Sequence, residues 1–385
     1  MSWPVASLAD VATINPRVQK DQKLPDNVTF LPMAAVSEEG EVVGAELRAL
    51  EEVRKGFTYF ERGDVLLAKI TPCFENGKAI FLERLETQVG FGSTEFHVIR
   101  PDPKRLDGKF LFYLLWNVKF RHEGARNMTG SAGQRRVPTN FLERYTFLLP
   151  PLATQKYIAR VLEQSDQLRK QAQQMERELN QLAQSLFLEM FGDPIGNPKN
   201  WAIRPLGEVA NNLDGRRVPV KSSDRADKQG SYPYYGASGI IDYVDDFIFD
   251  EKTLLVAEDG ANLLIRSTPI AFIAEGKYWV NNHAHVLSEN GLARLEYIEY
   301  SLNLRDVSPY ISGSAQPKLN QAMLNSIKIQ CPPIELQDKF TDVLSEIRSE
   351  KASLLKKAEL IEQMFNSLMQ RAFNGELTAP ERKAA

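Results

Sequence analysis

The sequence predicts an α+β fold with a pseudo-twofold internal repeat, in which two similar globular domains are separated by two long antiparallel coiled-coil helices. The opening of the chain at 3–12 returns at 201–210, with Trp, Leu, an acidic residue, Val and Ala at the same spacing. A Pro-Pro pair followed after three residues by Gln occurs at 150–155 and again at 332–337. Each of these pairs leads into a long stretch with helical apolar spacing. A repeat this long indicates a duplicated domain rather than a solenoid.

These landmarks divide the 385 residues into five predicted segments. The segments are a first domain over 1–151, a long helix over 152–192, a second domain over 193–331, a second long helix over 332–376 and a C-terminal tail over 377–385. At this length, two domains can each bury a core of their own.

Composition and charge exclude several classes of protein. Hydrophobic and charged contents of 43% and 25% are typical of globular proteins. The sequence has neither a long apolar run nor a signal segment, so we expect a cytoplasmic protein without a membrane span. A net charge of −3 argues against coating nucleic acid by bulk charge. However, the stretch 104–136 holds eight Lys or Arg against two acids, and a local basic surface of this kind can face phosphates.

The first long helix carries an a/d heptad seam, in which Ser165 fills one gap in the alternation of three and four residues. Its seam positions are Ile158, Val161, Leu168, Ala172, Met175, Leu179, Leu182 and Leu186. The second helix repeats the pattern with Phe340, Val343, Ile347, Leu354, Ile361, Met364 and Leu368. Glu350 and Lys357 also fall on this second seam and weaken it. We predict a coiled coil, with packing of each helix on its own domain as the alternative.

The direction of the second helix follows from the connection between the copies. Each helix is about 55 Å long at 1.5 Å per residue. The short segment from Gly192 to Trp201 cannot lead the chain back along that length. An antiparallel pair needs no such return, so the sequence favours it.

Within the domains, apolar runs and their turn signals predict matched pairs of elements. The predicted pairs are strands at 64–70 and 253–257, strands at 96–99 and 284–287, and short helices at 109–119 and 295–304.

A polar loop precedes each long helix, at 129–137 and at 312–319. Both loops combine Gly, Ser, Gln and a cation, which suits contact with phosphates and the reading of base edges. For any single residue, an ordinary solvated loop is the alternative. The residues predicted to bind DNA are Lys69, Thr71, Asn76, Lys78, Ser93, Thr94, Arg126, Ser131, Gln134, Arg135, Arg136, Arg216, Arg217, Tyr234, Tyr235, Ser238, Asn262, Asn281, Asn282, Ser314, Gln316 and Lys318.

The same sequence predicts no catalytic residue and no metal site. An adenine methyltransferase needs an Asn/Asp-Pro-Pro-aromatic motif, and the Asn-Pro pairs at 15–17 and 197–199 break it at the third position. The triplet at 250–252 resembles a metal nuclease motif only weakly. His283 and His285 can share a strand face, but we identify no Cys or carboxylate set that completes a zinc site.

Taken together, the chain resembles the specificity (S) subunit of a Type I restriction-modification system over essentially its whole length. The resemblance rests on the two repeated openings, the two Pro-Pro-x3-Gln motifs and the stretches 70–78 and 232–239. It implies two target recognition domains, each reading one half of a split sequence in double-stranded DNA. It also implies that the long helices space these domains and dock two methyltransferase (M) subunits for DNA methylation. Restriction (R) subunits would join them to give the nuclease and translocase of phage defence.

The resemblance further implies that this chain is a non-catalytic subunit that binds no cofactor. S-adenosylmethionine, ATP and Mg would belong to its partners, which carry the adenine methyltransferase and the ATP-dependent endonuclease. Two alternatives remain open. One is the specificity subunit of a related methylation or phage-defence assembly without the standard nuclease, and the other is a coiled-coil scaffold with two protein-binding domains.

Overall fold

The computed structural model describes residues 3–131, 133–313 and 316–378. The chain forms two compact units. Unit 1 comprises the residues up to Ala172 together with those from Lys357 onward, and unit 2 comprises Gln173–Lys356. Each unit therefore contains one globular part and segments of both long helices.

The elements of unit 1 follow the chain from the N-terminus to the first long helix. Its strands are β1 (Val5–Ser7), β2 (Ala12–Ile14), β3 (Asn27–Leu31), β4 (Glu46–Ala49), β5 (Thr58–Glu61), β6 (Val65–Ala68), β7 (Ala79–Phe81), β8 (Val89–Gly92), β9 (Phe96–Pro101) and β10 (Thr146–Leu148). Its helices are α1 (Leu8–Val11), α2 (Leu50–Val53), α3 (Gly108–Trp116), α4 (Val118–Arg126), α5 (Thr139–Arg144) and the start of α6 (Leu152–Phe191), with a 3-10 turn at Met33–Ala35.

Unit 2 repeats the order of the strands and of the two long helices, whereas some of its short helices lie elsewhere. Its strands are β11 (Ala202–Pro205), β12 (Ala210–Asn212), β13 (Gln229–Gly236), β14 (Gly239–Val244), β15 (Phe249–Asp250), β16 (Thr253–Ala257), β17 (Ala271–Ala274), β18 (Lys277–Val280), β19 (Ala284–Glu289) and β20 (Lys328–Cys331). Its helices are α7 (Leu206–Val209), α8 (Ser222–Arg225), α9 (Asn262–Ile265), α10 (Leu295–Asn303), α11 (Gln321–Ser326) and the start of α12 (Ile334–Phe373), with 3-10 turns at Asp214–Arg216, Ala226–Lys228 and Ser308–Tyr310.

The sheets confirm the predicted duplication. In unit 1 the strand orders are β2-β9-β6-β7 and β4-β3-β8-β5, and a two-stranded ribbon pairs β1 with β10. In unit 2 the orders are β12-β19-β16-β17 and β14-β13-β18-β15, with β11 paired to β20. The parallel pairing of β3 with β8 likewise recurs as β13 with β18. The two globular parts therefore share one topology.

Strand β6 shows how the local sequence selects these sheets. All four of its residues are buried, as expected for a continuous apolar run in an internal strand that is covered on both faces. Val65 and Leu67 pack into the core that contains α3, whereas Leu66 and Ala68 face the other core, with Leu31 and Phe60. The alternation of side chains along the strand divides its residues between the two cores.

The structure explains the repeated Pro-Pro-x3-Gln motif. Gln155 is fully buried at the start of α6, where its amide donates to the carbonyl of Pro150 at 2.8 Å and its Oε1 accepts the N–H of Asp107 at 2.8 Å. Gln337 makes the matching bonds, to the carbonyl of Pro332 at 2.9 Å and from the N–H of Arg294 at 2.9 Å. Each glutamine thus joins the start of a long helix to the start of an earlier short helix, α3 in unit 1 or α10 in unit 2, and satisfies polar groups that would otherwise be buried without partners.

Within unit 2 the long helices run antiparallel. Lys351 Nζ lies 2.9 Å from Asn180 Oδ1, and the ring of Phe340 lies 5.6 and 5.4 Å from the rings of Phe187 and Phe191. Residue numbers therefore rise along α6 as they fall along α12.

The buried stripe of each helix does not follow the predicted seam throughout. Five of the predicted seam positions are between 41% and 53% exposed, so their assignment to the buried seam is wrong. They are Leu168, Met175, Leu182, Val343 and Met364. The buried residues are instead shifted by one position at alternate steps of the heptad, as Leu162, Ala183, Leu344 and Phe365 show. Near the end of α6, Phe187 is also buried in place of the predicted Leu186. The weakening expected from Glu350 and Lys357 is also wrong, because both lie on the exposed face.

The buried seam contains polar residues, so the spacing of apolar residues alone predicted the wrong register. In unit 1, Arg169 pairs with Glu362 at 2.6 Å and lies 4.4 Å above the ring of Phe365. In unit 2, Lys351 pairs with Glu176 at 3.4 Å. The aliphatic part of a long basic side chain can cover apolar surface while its charged group pairs with an acid. Arginine and lysine can therefore occupy seam positions, although a search for apolar residues does not identify them.

A buried acid between α10 and α12 predicts a pH-dependent stability. Desolvation raises the pKa of Glu299 from 4.5 to about 7, although the ion pair with Arg348 opposes the shift. Because the folded state holds this proton between those values and the unfolded state does not, the free energy of unfolding should fall as pH rises through this window. Glu299→Gln should remove that slope, whereas Glu350→Gln on the exposed face of α12 should retain it. Urea denaturation at a series of pH values measures this, and an unchanged slope in Glu299→Gln would contradict it.

In the part of the chain that the structure describes, no helix has the length and apolarity to cross a membrane. Cys73 and Cys331 are free thiols and are partly buried.

Candidate nucleic-acid interface

In unit 1, the loop before α6 closes on itself and attaches to the end of β6. Thr129 and Arg136 exchange backbone hydrogen bonds of 3.0 and 2.8 Å. Thr71 N–H donates to the carbonyl of Arg135 at 3.0 Å, and Val137 N–H donates to the carbonyl of Lys69 at 2.9 Å. Residues that lie far apart in sequence thereby meet at one edge of the sheet.

The cations at this edge differ in how firmly they are held. Arg136 forms two bonds with the carboxylate of Glu95, at 2.8 and 2.9 Å, and this pairing lowers the pKa of Glu95. The Arg135 side chain is 45% exposed and lies 3.7 Å from Glu75. Since a two-bond pair fixes a guanidinium more tightly than a single long contact, Arg135 is the cation better placed to meet an incoming phosphate.

Unit 2 builds the same arrangement from different side chains. Ser312 and Lys318 exchange backbone hydrogen bonds of 2.9 and 2.8 Å. Gly260 N–H donates to the carbonyl of Pro317 at 3.1 Å, and Leu319 N–H donates to the carbonyl of Glu258 at 2.8 Å. The loop at 312–319 therefore sits on the end of β16 as the loop at 129–137 sits on the end of β6.

The charge at this edge differs between the units. Glu258 occupies the backbone position in unit 2 that Lys69 occupies in unit 1, since each carbonyl accepts the N–H from the end of its loop. The Glu258 carboxylate pairs with Arg217 at 2.7 Å and with Lys318 at 3.1 Å. Although burial raises the pKa of Glu258, its hydrogen bond from Arg217 and the neighbouring charges leave it below the ordinary value. Arg217 and Lys318, two of the three cations predicted for unit 2, are therefore already neutralised by the same acid.

Two carboxylates lie beside His285. This corrects the expectation from the sequence that no set of carboxylates accompanies this histidine. Oxygens of Asp214 and Glu258 and a ring nitrogen of His285 lie within 4.8 Å of one another. Arg217 pairs with both acids, at 3.3 Å from Asp214 and 2.7 Å from Glu258. Because the carboxylates are already satisfied by a cation, the arrangement fits an ion-pair network better than a metal site.

Two predicted contact residues of unit 2 are buried, and the prediction is corrected for both. Tyr234 is 1% exposed, and its hydroxyl accepts the N–H of Val220 at 2.9 Å. Asn281 is 5% exposed, and its Oδ1 accepts the N–H of His283 at 2.8 Å. In both cases the polar group serves the backbone of its own domain, so it does not face a partner.

Other predicted residues are positioned by internal bonds. Arg216 pairs with Glu251 at 2.6 Å, and Asn76 bonds to Glu38 at 2.8 Å. Lys78 bonds to the carbonyl of Met33 at 3.3 Å, Tyr235 packs on Phe272 and Tyr278, and Asn262 accepts from Thr268 N–H at 3.1 Å within its own loop. The exposed or half-exposed members are Ser93, Thr94, Arg126, Ser131, Gln134, Ser238, Asn282 and Gln316. Ser314 lies outside the described residues.

Sequence reasoning missed the groups that hold these loops. His97 and His285, on the matched strands β9 and β19, each donate a ring N–H to a loop carbonyl, at 2.8 Å to Val137 and 2.7 Å to Leu319. The matched position of the two histidines in the repeated strands was the available signal. The acids Glu95 and Glu258 are not matched in sequence, so only the tertiary structure identifies them.

A family model for the Type I restriction modification DNA specificity domain matches residues 2–181 and 198–363. The chain belongs to this family. The two matched ranges correspond to the two repeats, and each includes one of the loops described above.

Curated relatives agree with this assignment. The chain is 43% identical over 162 residues to the Type I restriction enzyme EcoEI specificity subunit of Escherichia coli, and 36% identical over 175 residues to the EcoAI specificity subunit. These alignments span 40% and 44% of this chain but only 26% and 30% of those relatives. The EcoprrI specificity subunit of Escherichia coli is 22% identical over 85% of this chain and 84% of its own length.

Among solved structures, the S subunit of a Type I restriction-modification system from M. genitalium matches with a TM-score of 0.62, 16% identity and coverage of 96% of both chains. A chain from a structural study of the assembly and conformational transition of a type I R-M system matches with a TM-score of 0.55, 17% identity and coverage of 98% of both chains. These likenesses support the α+β fold with its internal repeat.

Proposed function

We propose that this chain is the DNA-recognition subunit of a Type I restriction-modification complex, in which each target recognition domain reads one half of a bipartite sequence. The observation that carries the proposal is the duplicated loop site. In both units a loop ending in a cation, Arg136 or Lys318, is bonded to the end of a central strand. A surface with exposed Ser, Gln, Arg and Lys side chains on a fixed backbone suits phosphate contact together with base reading.

In this proposal the chain is non-catalytic and binds no cofactor. The arginines and acids at the loop sites pair with each other, as Arg217 and Glu258 do at 2.7 Å. The methyltransferase and restriction subunits would carry the chemistry and would use S-adenosylmethionine, ATP and Mg. The chain would act in the cytoplasm, where its DNA substrate lies.

The exposed faces of the long helices support a scaffolding role toward the two M subunits, with R subunits joining the assembly. In unit 2, Met175 and Leu182 lie one heptad apart on α6 and are 47% and 53% exposed. In unit 1, Leu168 on the same helix is 44% exposed. Exposed apolar side chains at regular helical spacing are typical of a surface that packs on a partner helix.

Salt dependence tests the DNA-binding part of the proposal. Affinity of the purified chain for a mixed-sequence duplex should fall steeply as salt rises, because phosphate contacts release counterions. Arg135→Ala should weaken binding by about 1–3 kcal/mol if the guanidinium contacts a base, or reduce the salt slope by about 1 if it contacts a phosphate. Arg177→Ala, on the exposed face of α6, is the matched control. Fluorescence anisotropy titrations at several salt concentrations measure both quantities. Salt-independent binding, or no binding, would favour the protein-scaffold alternative.

A further inference from the structure

A buried histidine stands at the centre of each loop site. His97 on β9 is 3% exposed and His285 on β19 is 1% exposed. The ring Nε2 of each donates to the carbonyl of the residue that follows the loop cation, which is Val137 in unit 1 and Leu319 in unit 2. Each histidine therefore bonds to the residue that directly follows the last cation of its loop.

The residue after the cation is held from two sides in both units. Val137 accepts from His97 and donates its own N–H to the carbonyl of Lys69 at 2.9 Å. Leu319 accepts from His285 and donates its N–H to the carbonyl of Glu258 at 2.8 Å. Two bonds to two different strands fix the end of the loop on the sheet, so loss of the histidine bond would free one side of it.

The second ring nitrogen differs between the units, and in unit 1 the geometry fits a neutral ring. Asn15 Oδ1 accepts the N–H of Val98 at 3.0 Å, which leaves the Asn15 amide N–H to donate to His97 Nδ1 at 3.2 Å. A ring that accepts at Nδ1 and donates at Nε2 carries one proton. Consistently, desolvation lowers the pKa of His97.

In unit 2, both ring nitrogens face acceptors. Asp214 replaces the asparagine, with Oδ1 accepting the N–H of Val286 at 2.9 Å and Oδ2 lying 2.5 Å from His285 Nδ1. Burial raises the pKa of Asp214, but the hydrogen bond from His285 outweighs it and the net shift is downward, which favours the carboxylate. A ring between a carboxylate and a carbonyl can donate to both only with a proton on each nitrogen, whereas the ring of unit 1 needs only one.

We propose that His97 and His285 are positioning residues for the two loops, each fixing the end of its loop by donating to the carbonyl of Val137 or Leu319. Asp214 in turn orients the His285 ring, as Asn15 orients the His97 ring. The other charged groups around the His285 ring are Glu258, 3.8 Å from Nδ1, and Arg217 and Lys318, which pair with these acids. This inference rests on the proposed function only in assigning DNA reading to the loops.

Hydrogen exchange of the intact chain tests this positioning without DNA. His285→Phe should lower the protection of the Leu319 amide and leave that of the Val137 amide unchanged, and His97→Phe should do the reverse. Equal loss at both amides, or no loss at either, would overturn the proposal.

Conservative variants separate positioning from general packing. A glutamine amide can still donate to the loop carbonyl, so His285→Gln should keep the Leu319 amide protected where His285→Phe does not. His97→Gln should likewise keep the Val137 amide protected. Glutamine variants that lose as much protection as the phenylalanine variants would overturn the positioning role. If the exchange results hold while the phenylalanine variants bind DNA with unchanged affinity, the positioning role stands and the proposed role of the loops in DNA reading fails.

Discussion

Replacing Phe187 with alanine is expected to lower the free energy of unfolding by about 3–5 kcal/mol, because the truncation leaves a cavity in a packed core. Phe187 is fully buried on α6, and its ring stacks on Tyr297 at 5.5 Å and meets Phe191 and Phe340 at 5.1 and 5.6 Å. It joins the long helices of unit 2 to α10, so several elements lose packing together.

The matched control lies on the same helix. Leu182 belongs to the predicted seam but is 53% exposed, so Leu182→Ala should change the free energy of unfolding of the isolated chain by no more than about 0.5 kcal/mol. Chemical denaturation followed by circular dichroism compares the two. A larger loss in Leu182→Ala than in Phe187→Ala would show that the predicted a/d register, rather than the shifted one, forms the core.

Under the proposed function, exchange of the first globular part, residues 1–150, should change one half of the methylated DNA sequence and leave the other half intact. In unit 1, Thr71 N–H bonds to the carbonyl of Arg135 and His97 bonds to the carbonyl of Val137, so the loop is held by groups of its own unit. We therefore expect each half-site to be read by one unit. Long-read mapping of methylated adenines in cells that carry the exchanged subunit and its M subunits measures the result.

The structure indicates where to join the two sequences for this exchange. A junction after Pro150 replaces residues 1–150 and leaves Gln155 on its helix, where it bonds to the carbonyl of Pro150 at 2.8 Å. The donor should retain an aromatic residue at the position of Phe110, which packs on Phe373 at 5.4 Å. Exchange of 193–331 is the reciprocal control and should alter the other half-site. Changes in both halves, or in neither, would show that the domains do not read independently.

Much of the fold was predictable because it depends on local patterns that occur twice. The matched strands at 64–70 and 253–257 appear as β6 and β16, and the predicted short helix near 295–304 appears as α10. Apolar runs and turn residues act over a few neighbours, so a single sequence contains the information that selects them. The same locality made the loops at 129–137 and 312–319 recognisable as equivalent.

The candidate site was less predictable because its pairings join distant residues. His285 meets Asp214 and Glu258 only after β19, β16 and the turn that follows β12 come together. Tyr234 was predicted to contact DNA, yet the same side chain is buried against Val220. No spacing along the chain distinguishes a tyrosine that stacks on a partner from one that fills a core.

The sequence by itself determined the duplication, the order of elements and the positions of the long helices, because these follow from repeated short-range patterns. The tertiary structure alone decided which face of each helix is buried and which charges meet at the loop sites. Arg169 and Lys351 enter the seams through ion pairs with Glu362 and Glu176. Such a residue is tolerated inside only when a partner from another segment neutralises it, and the chain does not specify that partner until it has folded.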